Sequence, residues 1–382
     1  MSEIFLIFLR LGLTCFGGPI AHIGYFRDEF VLRRRWIDEA EFADLVALCQ
    51  FLPGPASSQV GFSIGLKRGG VQGAIAAWCG FTLPSALALT LFALGLHEFT
   101  VADGLLHGLR LVAVAIVAQA VWGMARTLCP DRPRAGIALA SLLVMLFAQS
   151  SAAQFAVIAL GAAGGAALCR PKAPRKIETA DLLLSRRAGL AALILFLALL
   201  FGIPLAQQAT GSNGLALFDA FYRSGALVFG GGHVVLPLLR QSFVAPGWIG
   251  DDVFLAGYGA AQAVPGPLFT FAAYLGTVIG GVKGGVIGLV AIFLPGMLLL
   301  LAALPYWQDL RRKLWAQALM QGVNAAVVGL LGAALYTPLW TSSVRRPGDF
   351  AIAAAGFLLL TVWRAPPLVV VALGAAAGFY FG

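Results

Sequence analysis

Gln50-Phe51-Leu52-Pro53-Gly54-Pro55 places two prolines and a glycine inside an otherwise apolar run. That run does not continue as one regular helix. Each proline removes a backbone donor and its ring clashes with the preceding turn. In lipid, a backbone interrupted in this way persists only where protein or a water-filled cavity satisfies it. The stretch returns as Gln262-Ala263-Val264-Pro265-Gly266-Pro267. Interruptions at corresponding places in two halves of a hydrophobic chain point to the central binding site of a transporter.

The rest of the chain supports that setting. It is 60% hydrophobic and 11% charged, with a mean hydropathy of +0.88, far from the averages of soluble domains. Apolar runs long enough to cross a bilayer recur from end to end, which predicts an all-α polytopic membrane protein with lipid as its solvent. The opening Met-Ser-Glu lacks the basic region of a cleavable signal peptide, so the first apolar segment is expected to stay in the mature chain. The net charge of +9 sits in short loops between apolar segments, where it reports topology and not a nucleic-acid partner. Cys15, Cys49, Cys79, Cys129 and Cys169 are scattered, with no Cys-x-x-Cys pair and no histidine at ligand spacing. Neither a disulfide, a metal nor another cofactor is expected.

An internal duplication organises the chain. Arg10 and Arg223, Phe16 and Phe229, Trp36 and Trp248, Pro53 and Pro265, and Pro84 and Pro295 recur at an offset that stays between 211 and 213 residues. Such a period is too long for a stacking repeat, so the unit is a half-domain. The reading is a first repeat over residues 1–169, a basic linker with one unpaired transmembrane helix over 170–214, and a second repeat over 215–382. Six, one and six segments make about 13 hydrophobic segments, and the odd one inverts the second repeat relative to the first. Counting Lys and Arg by side puts the N-terminus and the 170–187 linker in the cytoplasm and the C-terminus outside. The charge asymmetry is largest if the Phe-Gly-Gly and Pro-Gly-Pro segments enter and return on one side as re-entrant hairpins; full spanning is the alternative.

Candidate binding residues follow from the repeat. Arg10 and Arg223 each lie six residues before a Phe-Gly-Gly motif, Gly17-Gly18 and Gly230-Gly231. An arginine deep in a membrane segment costs about 2.5 to 3.5 kcal/mol on insertion scales and is a functional site by default. Its planar, permanently charged fork suits a tetrahedral oxyanion. Beyond each proline pair a new half-helix starts, and its free N–H groups form a second anion-seeking element. Ser57, Ser58 and Thr270 would add hydroxyls there, unless they bond back to their own backbone. Gln50 and Gln262 either satisfy freed backbone groups or face substrate, and the glycines allow close approach or positive φ. Arg110 aligns with Asn324, which breaks the symmetry, and Arg110 has Asp103 as a possible structural partner. His22 and His233 are not equivalent by the repeat; a lone histidine is more often structural, and only His233 is kept, as a secondary candidate beside the second glycine motif.

Two halves, each with Arg, Phe-Gly-Gly, Trp-Ile, Gln-x-x-Pro-Gly-Pro, a glycine-rich turn and a later proline, resemble the long form of the chromate ion transporter family over nearly the whole chain. The resemblance implies transport of chromate, usually as efflux that confers chromate resistance from the bacterial inner membrane, with sulfate as a competing analogue. The second motif, Phe229-Gly230-Gly231-Gly232-His233, departs from the pattern by not ending in proline. A homodimer is one assembly compatible with such a chain. Rivals are a sulfate or other oxyanion carrier or channel and a membrane enzyme acting on phosphorylated lipids. The enzyme would need a nucleophile or carboxylates paired with histidine, and no such cluster is present in the sequence.

Overall fold

The computed structural model describes residues 1–16, 18–98, 103–148, 151–170, 184–229, 234–307 and 313–381, and these are helical without strands. Residues 171–183, the core of the expected linker, lie outside them. In chain order the helices are α1 (Ser2–Thr14), α2 (Gly18–Phe26, continued by a π turn at Arg27–Arg33), α3 (Glu39–Phe51), α4 (Ala56–Glu98), α5 (Asp103–Leu128), α6 (Arg132–Phe147), α7 (Ser151–Leu168), α8 (Arg186–Thr210) and α9 (Asn213–Ala226). They continue with α10 (Val235–Phe243), α11 (Asp251–Ala263), α12 (Phe271–Ala303), α13 (Leu314–Ala334), α14 (Pro347–Thr361) and α15 (Pro367–Phe381). Five stretches are long and apolar enough to cross a membrane: Ala56–Gly95, His107–Leu128, Arg186–Thr210, Leu268–Tyr306 and Leu314–Ser343. The chain is a multi-pass membrane protein.

Two of those five are not single rods. Gly69 (φ −146°, ψ 24°) and Gly70 (φ 60°, ψ −156°) leave helical geometry inside α4, and Gly280 and Gly281 do the same inside α12. The positive φ at Gly70 and Gly281 is what a glycine tolerates and other residues rarely adopt. The chain folds back there. A Cβ on Gly65 would strike the Gly73 carbonyl oxygen, and one on Gly276 would strike that of Gly284. Each is therefore a tight helical hairpin, with a first limb of about 13 or fewer residues, about 20 Å at most.

The described residues form two compact units that cut across the two sequence repeats: Met1–Gly95 with Pro174–Val235 and Val264–Leu310, and Leu96–Ala173 with Leu236–Ala263 and Arg311–Gly382. In the first unit, α1 lies on the second limb of α4 so closely that a Cβ on Gly12 would stand 2.8 Å from the Gly80 and Phe81 carbonyl oxygens. The equivalent Gly225 of α9 meets Ile292 on α12. Around it Ala192, Phe196, Tyr222, Ala226, Leu298 and Ala302 form a core, and the Tyr222 hydroxyl donates to the Phe196 carbonyl at 3.1 Å.

Short helices in this unit fold into hairpins with a charged base. Helix α1 has 13 residues and α3 has 13. Each rises about 20 Å, less than the roughly 30 Å of a hydrocarbon core. Arg34, just past the α2 extension, reaches back to Glu3 at the start of α1 at 3.2 Å, and Phe8 packs against Phe26 and Phe30. Lys67, at the end of the first limb of α4, pairs with Glu41 at the start of α3. Both pairs therefore run antiparallel, the first turning beyond Cys15 and the second at Pro53–Pro55. Arg27 pairs with Glu39 at 2.7 Å, and Arg34 and Arg68 sit over the Trp36 ring. Burial opposes it, yet hydrogen bonds from Arg34 and Arg33 hold the Glu29 carboxyl below the usual carboxylate range.

In the second unit, α13 packs on α6 and α7, and α5 packs on α11, α14 and α15. Ile137, Met145, Val157, Ala325, Ala326 and Leu330 fill the first of these contacts. Small residues let the backbones touch: Gly161 and Gly165 meet Gly322, and Gly104 and Gly108 meet Gly374 and Gly378. Spacing of four between paired glycines is the close-packing pattern of membrane helices. A Gly108→Val substitution would put its Cβ against the Gly374 carbonyl and 3.1 Å from Ala375 Cα. Overpacking of this kind costs about 1 to 3 kcal/mol. The detergent-solubilised variant is expected to melt several degrees below the wild type; an unchanged melting temperature would refute the contact.

Candidate functional site

The two Pro-Gly-Pro tips are satisfied by the opposite sequence repeat. Gly54 N–H donates to the Val228 carbonyl at 2.7 Å, and Gly266 N–H donates to the Cys15 carbonyl at 2.9 Å. Cys15 and Val228 each precede a Phe-Gly-Gly motif, so the two bonds are equivalents exchanged between repeats. The surrounding contacts are exchanged as well. A Cβ on Gly54 would stand 2.9 Å from Gly296 Cα, and one on Gly266 would stand 2.8 Å from Ser85 Oγ, where Gly296 and Ser85 each follow the repeat's later proline. Gly54 has φ +122° and Gly266 has φ +104°. Both glycines are required by conformation and by space.

The polar lining differs between the tips. At the first, Gln59 donates through Nε2 to the Pro53 carbonyl at 3.0 Å and the Gly296 carbonyl at 2.8 Å. The first intrahelical bond of α4 runs from Gln59 N–H to the Pro55 carbonyl, which leaves the N–H groups of Ala56, Ser57 and Ser58 ahead of the ladder. Ser57 and Ser58 are buried at 2% and 3% exposure. The ring of His22 is buried too, with Nδ1 3.3 Å from Ser57 Oγ and an edge-on contact to Phe81. At the second tip, Leu268–Thr270 is a 3-10 turn in which Thr270 N–H bonds the Pro267 carbonyl at 3.0 Å and Thr270 Oγ1 bonds the same oxygen at 2.8 Å.

The two arginines are also unlike. Arg223 Nε lies 2.8 Å from Asp219 Oδ1, and Nη2 donates to the Leu200 carbonyl at 3.3 Å. Arg10 is exposed, and no carboxylate pairs with it among the described residues; the position equivalent to Asp219 is Leu6. Gly18 has φ +77° at the start of α2, whereas Gly17, Gly230, Gly231 and His233 lie outside the described residues. Gln50 is exposed at the end of α3, while Gln262 Nε2 is buried with no hydrogen-bond partner. Arg110 forms an ion pair with Asp252 on α11, and Asn324 Oδ1 is buried with no hydrogen-bond partner.

Sequence reasoning gave His22 no role because no equivalent histidine exists in the second repeat. It also did not assign Asp219 to Arg223, although the spacing of four residues on one helix was a usable signal. The Trp-Ile motif, read only as a repeat marker, has a structural task. Trp36 N–H bonds the Phe30 carbonyl at 2.8 Å and Trp248 N–H bonds that of Phe243 at 2.9 Å, closing the same turn in each repeat.

Comparisons with known proteins agree with this duplicated arrangement. The profile described as chromate transporter matches residues 2–166 and again residues 215–379. A chromate transport protein of Pseudomonas aeruginosa is 30% identical over 394 residues, covering 98% of this chain and 90% of that protein. A probable chromate transport protein of Synechococcus elongatus is 28% identical, over 100% of this chain and 95% of its own length. The chromate transport protein of Cupriavidus metallidurans is 26% identical, over 99% and 92%. No solved structure matches. A twice-matched profile spanning both crossed tips, with full-length relatives, shows that the chain belongs to the chromate transporter family.

Proposed function

We propose that this chain moves chromate, a divalent tetrahedral oxyanion, out of the cytoplasm across the bacterial inner membrane and so confers chromate resistance. The crossing of the two Pro-Gly-Pro tips carries the reading: it gathers broken helix starts inside one unit, where their free N–H groups favour an anion. Arg10, which pairs with no carboxylate among the described residues, supplies the countercharge. The two sequence repeats, 1–169 and 215–382, act as inverted halves joined by the 170–214 linker and helix, about 13 segments in all. The antiparallel short helices with ion-paired bases support re-entrant hairpins whose bases lie at the cytoplasmic surface. In this reading the N-terminus is inside and the C-terminus outside. Sulfate, with the same shape and charge, competes for the site, and two copies of the chain form a homodimer.

Energetics favour export. One charge moving through 100 mV is worth about 2.3 kcal/mol, so a dianion leaving a negative interior gains roughly 4.6 kcal/mol per 100 mV. Transport by this route is not a chemical conversion and calls on no nucleophile. Counterflow in proteoliposomes tests the reading. Labelled chromate is expected to accumulate against preloaded chromate and, more weakly, against preloaded sulfate, and an imposed potential is expected to change the net flux. Absence of counterflow together with absence of net chromate flux would overturn it.

A further inference from the structure

We propose that the two tips are not equivalent, and that a single tetrahedral oxyanion docks only at the first, on the N–H groups of Ala56, Ser57 and Ser58, with the Ser58 hydroxyl and His22 Nε2 completing the site. The inference rests on the reading of this chain as an oxyanion carrier and says which half of the duplicated machinery does the binding. Three observations meet at this place. The start of α4 has three N–H groups that no intrahelical bond uses. Ser58 Oγ, on that same turn and 3% exposed, has no hydrogen-bond partner. His22, 1% exposed, has Nδ1 beside Ser57 Oγ, while Nε2 makes no hydrogen bond of good geometry and the ring has only the Cys15 backbone as a further polar neighbour among the described residues.

Buried polar groups are nearly always hydrogen-bonded, so a cluster of unpartnered ones marks a place where something polar binds. The identity of the groups says what. When Ser57 donates its hydroxyl hydrogen to Nδ1, the imidazole carries its proton on Nε2 and adds a donor to those of the helix start. Backbone N–H groups, a hydroxyl and an imidazole lie at one helix start, where no carboxylate of the described residues pairs with them, and the helix start adds partial positive charge. That set recognises oxygen atoms bearing negative charge.

At the second tip the same positions have been closed. Thr270, the counterpart of Ser58, spends both its N–H and its hydroxyl on the Pro267 carbonyl. Phe269 stands where Ser57 is, Phe271 where Gln59 is, and Val235 where His22 is. The second tip thus holds the first repeat's backbone, through Gly266 and Cys15, and keeps the N–H groups of Leu268 and Phe269 but offers an oxyanion no free hydroxyl and no imidazole beside them. The duplicated fold keeps the scaffold twice and the site once.

The test is equilibrium binding of chromate, and separately of sulfate, to the purified full chain in nanodiscs, by titration calorimetry. Ser58→Ala and His22→Ala are each expected to weaken binding at least tenfold, and Thr270→Val less than twofold. His22→Gln, which keeps an N–H donor, is expected to fall between wild type and His22→Ala. A melting curve without ligand checks that each variant folds, and Ser58→Ala, a small truncation, carries the test if His22→Ala does not. Wild-type affinity in Ser58→Ala and His22→Gln would show that these donors hold water, and would overturn the inference. So would a Thr270→Val loss as large as that of Ser58→Ala. Either result in a wild-type protein that still binds and exchanges chromate sinks only the asymmetry; a wild type that neither binds nor exchanges chromate sinks the function itself.

Discussion

Gly54→Ala is expected to cut chromate exchange in proteoliposomes at least tenfold and to lower the melting temperature of the purified protein. Two costs add. The backbone at Gly54 has φ +122°, a region where a side chain brings strain of about 1 to 3 kcal/mol. The new Cβ would also stand 2.9 Å from both Gly296 Cα and Gln59 Nε2, and the first of these is backbone that cannot swing aside. Relief requires the tip to retreat from α12. Retreat breaks the Gly54 bond to Val228 and separates Gln59 from the Gly296 carbonyl. Gly266→Ala should be milder, because its nearest neighbour is the Ser85 hydroxyl at 2.8 Å, the mobile end of a side chain. Wild-type exchange and melting in Gly54→Ala would show that the tips are not held as described.

Arg10→Gln and Arg223→Gln are expected to fail in different ways, although the repeat makes them equivalents. Arg223 shares its charge with Asp219 and holds the Leu200 carbonyl. Its removal strands a partly buried carboxylate, so the expected loss is of folded protein, recovered in an Arg223→Gln, Asp219→Asn double variant. Arg10 has no acid at the equivalent place, where Leu6 stands. Its removal should leave the melting curve near that of wild type and drop chromate exchange about a hundredfold, the equivalent of roughly 3 kcal/mol. Arg10→Lys keeps a charge without the bidentate fork and should retain part of the activity. Matching defects in the two single variants would restore a symmetric pair of binding arginines.

The sequence carried the repeat and the broken helices, and offered re-entrant hairpins beside full spanning, because prolines, glycines and basic clusters act locally. Pro53 and Pro55 interrupt a helix wherever they stand, and Arg33-Arg34-Arg35 favours a water-facing end. Neighbourhood is different. An offset of 212 residues says that Gly54 and Gly266 are equivalents, and nothing in it says that Gly54 reaches Val228 while Gly266 reaches Cys15. That crossing arises from packing between residues far apart in the chain. His22 was passed over for the same reason: periodicity ranks residues by their copies, and a residue that marks the difference between two copies has none.

The exchanged bonds also set a timetable for synthesis. Gly54 leaves the ribosome well before Val228, and at about 5 to 20 residues per second the interval between residues 54 and 228 is about 9 to 35 s. Cys15 waits longer still for Gly266. For that time the first hairpin tips have no native acceptor or donor across the repeat. The nascent first half must therefore be sheltered by the insertion machinery, or remain shallow in the bilayer, until the second half arrives to draw it in.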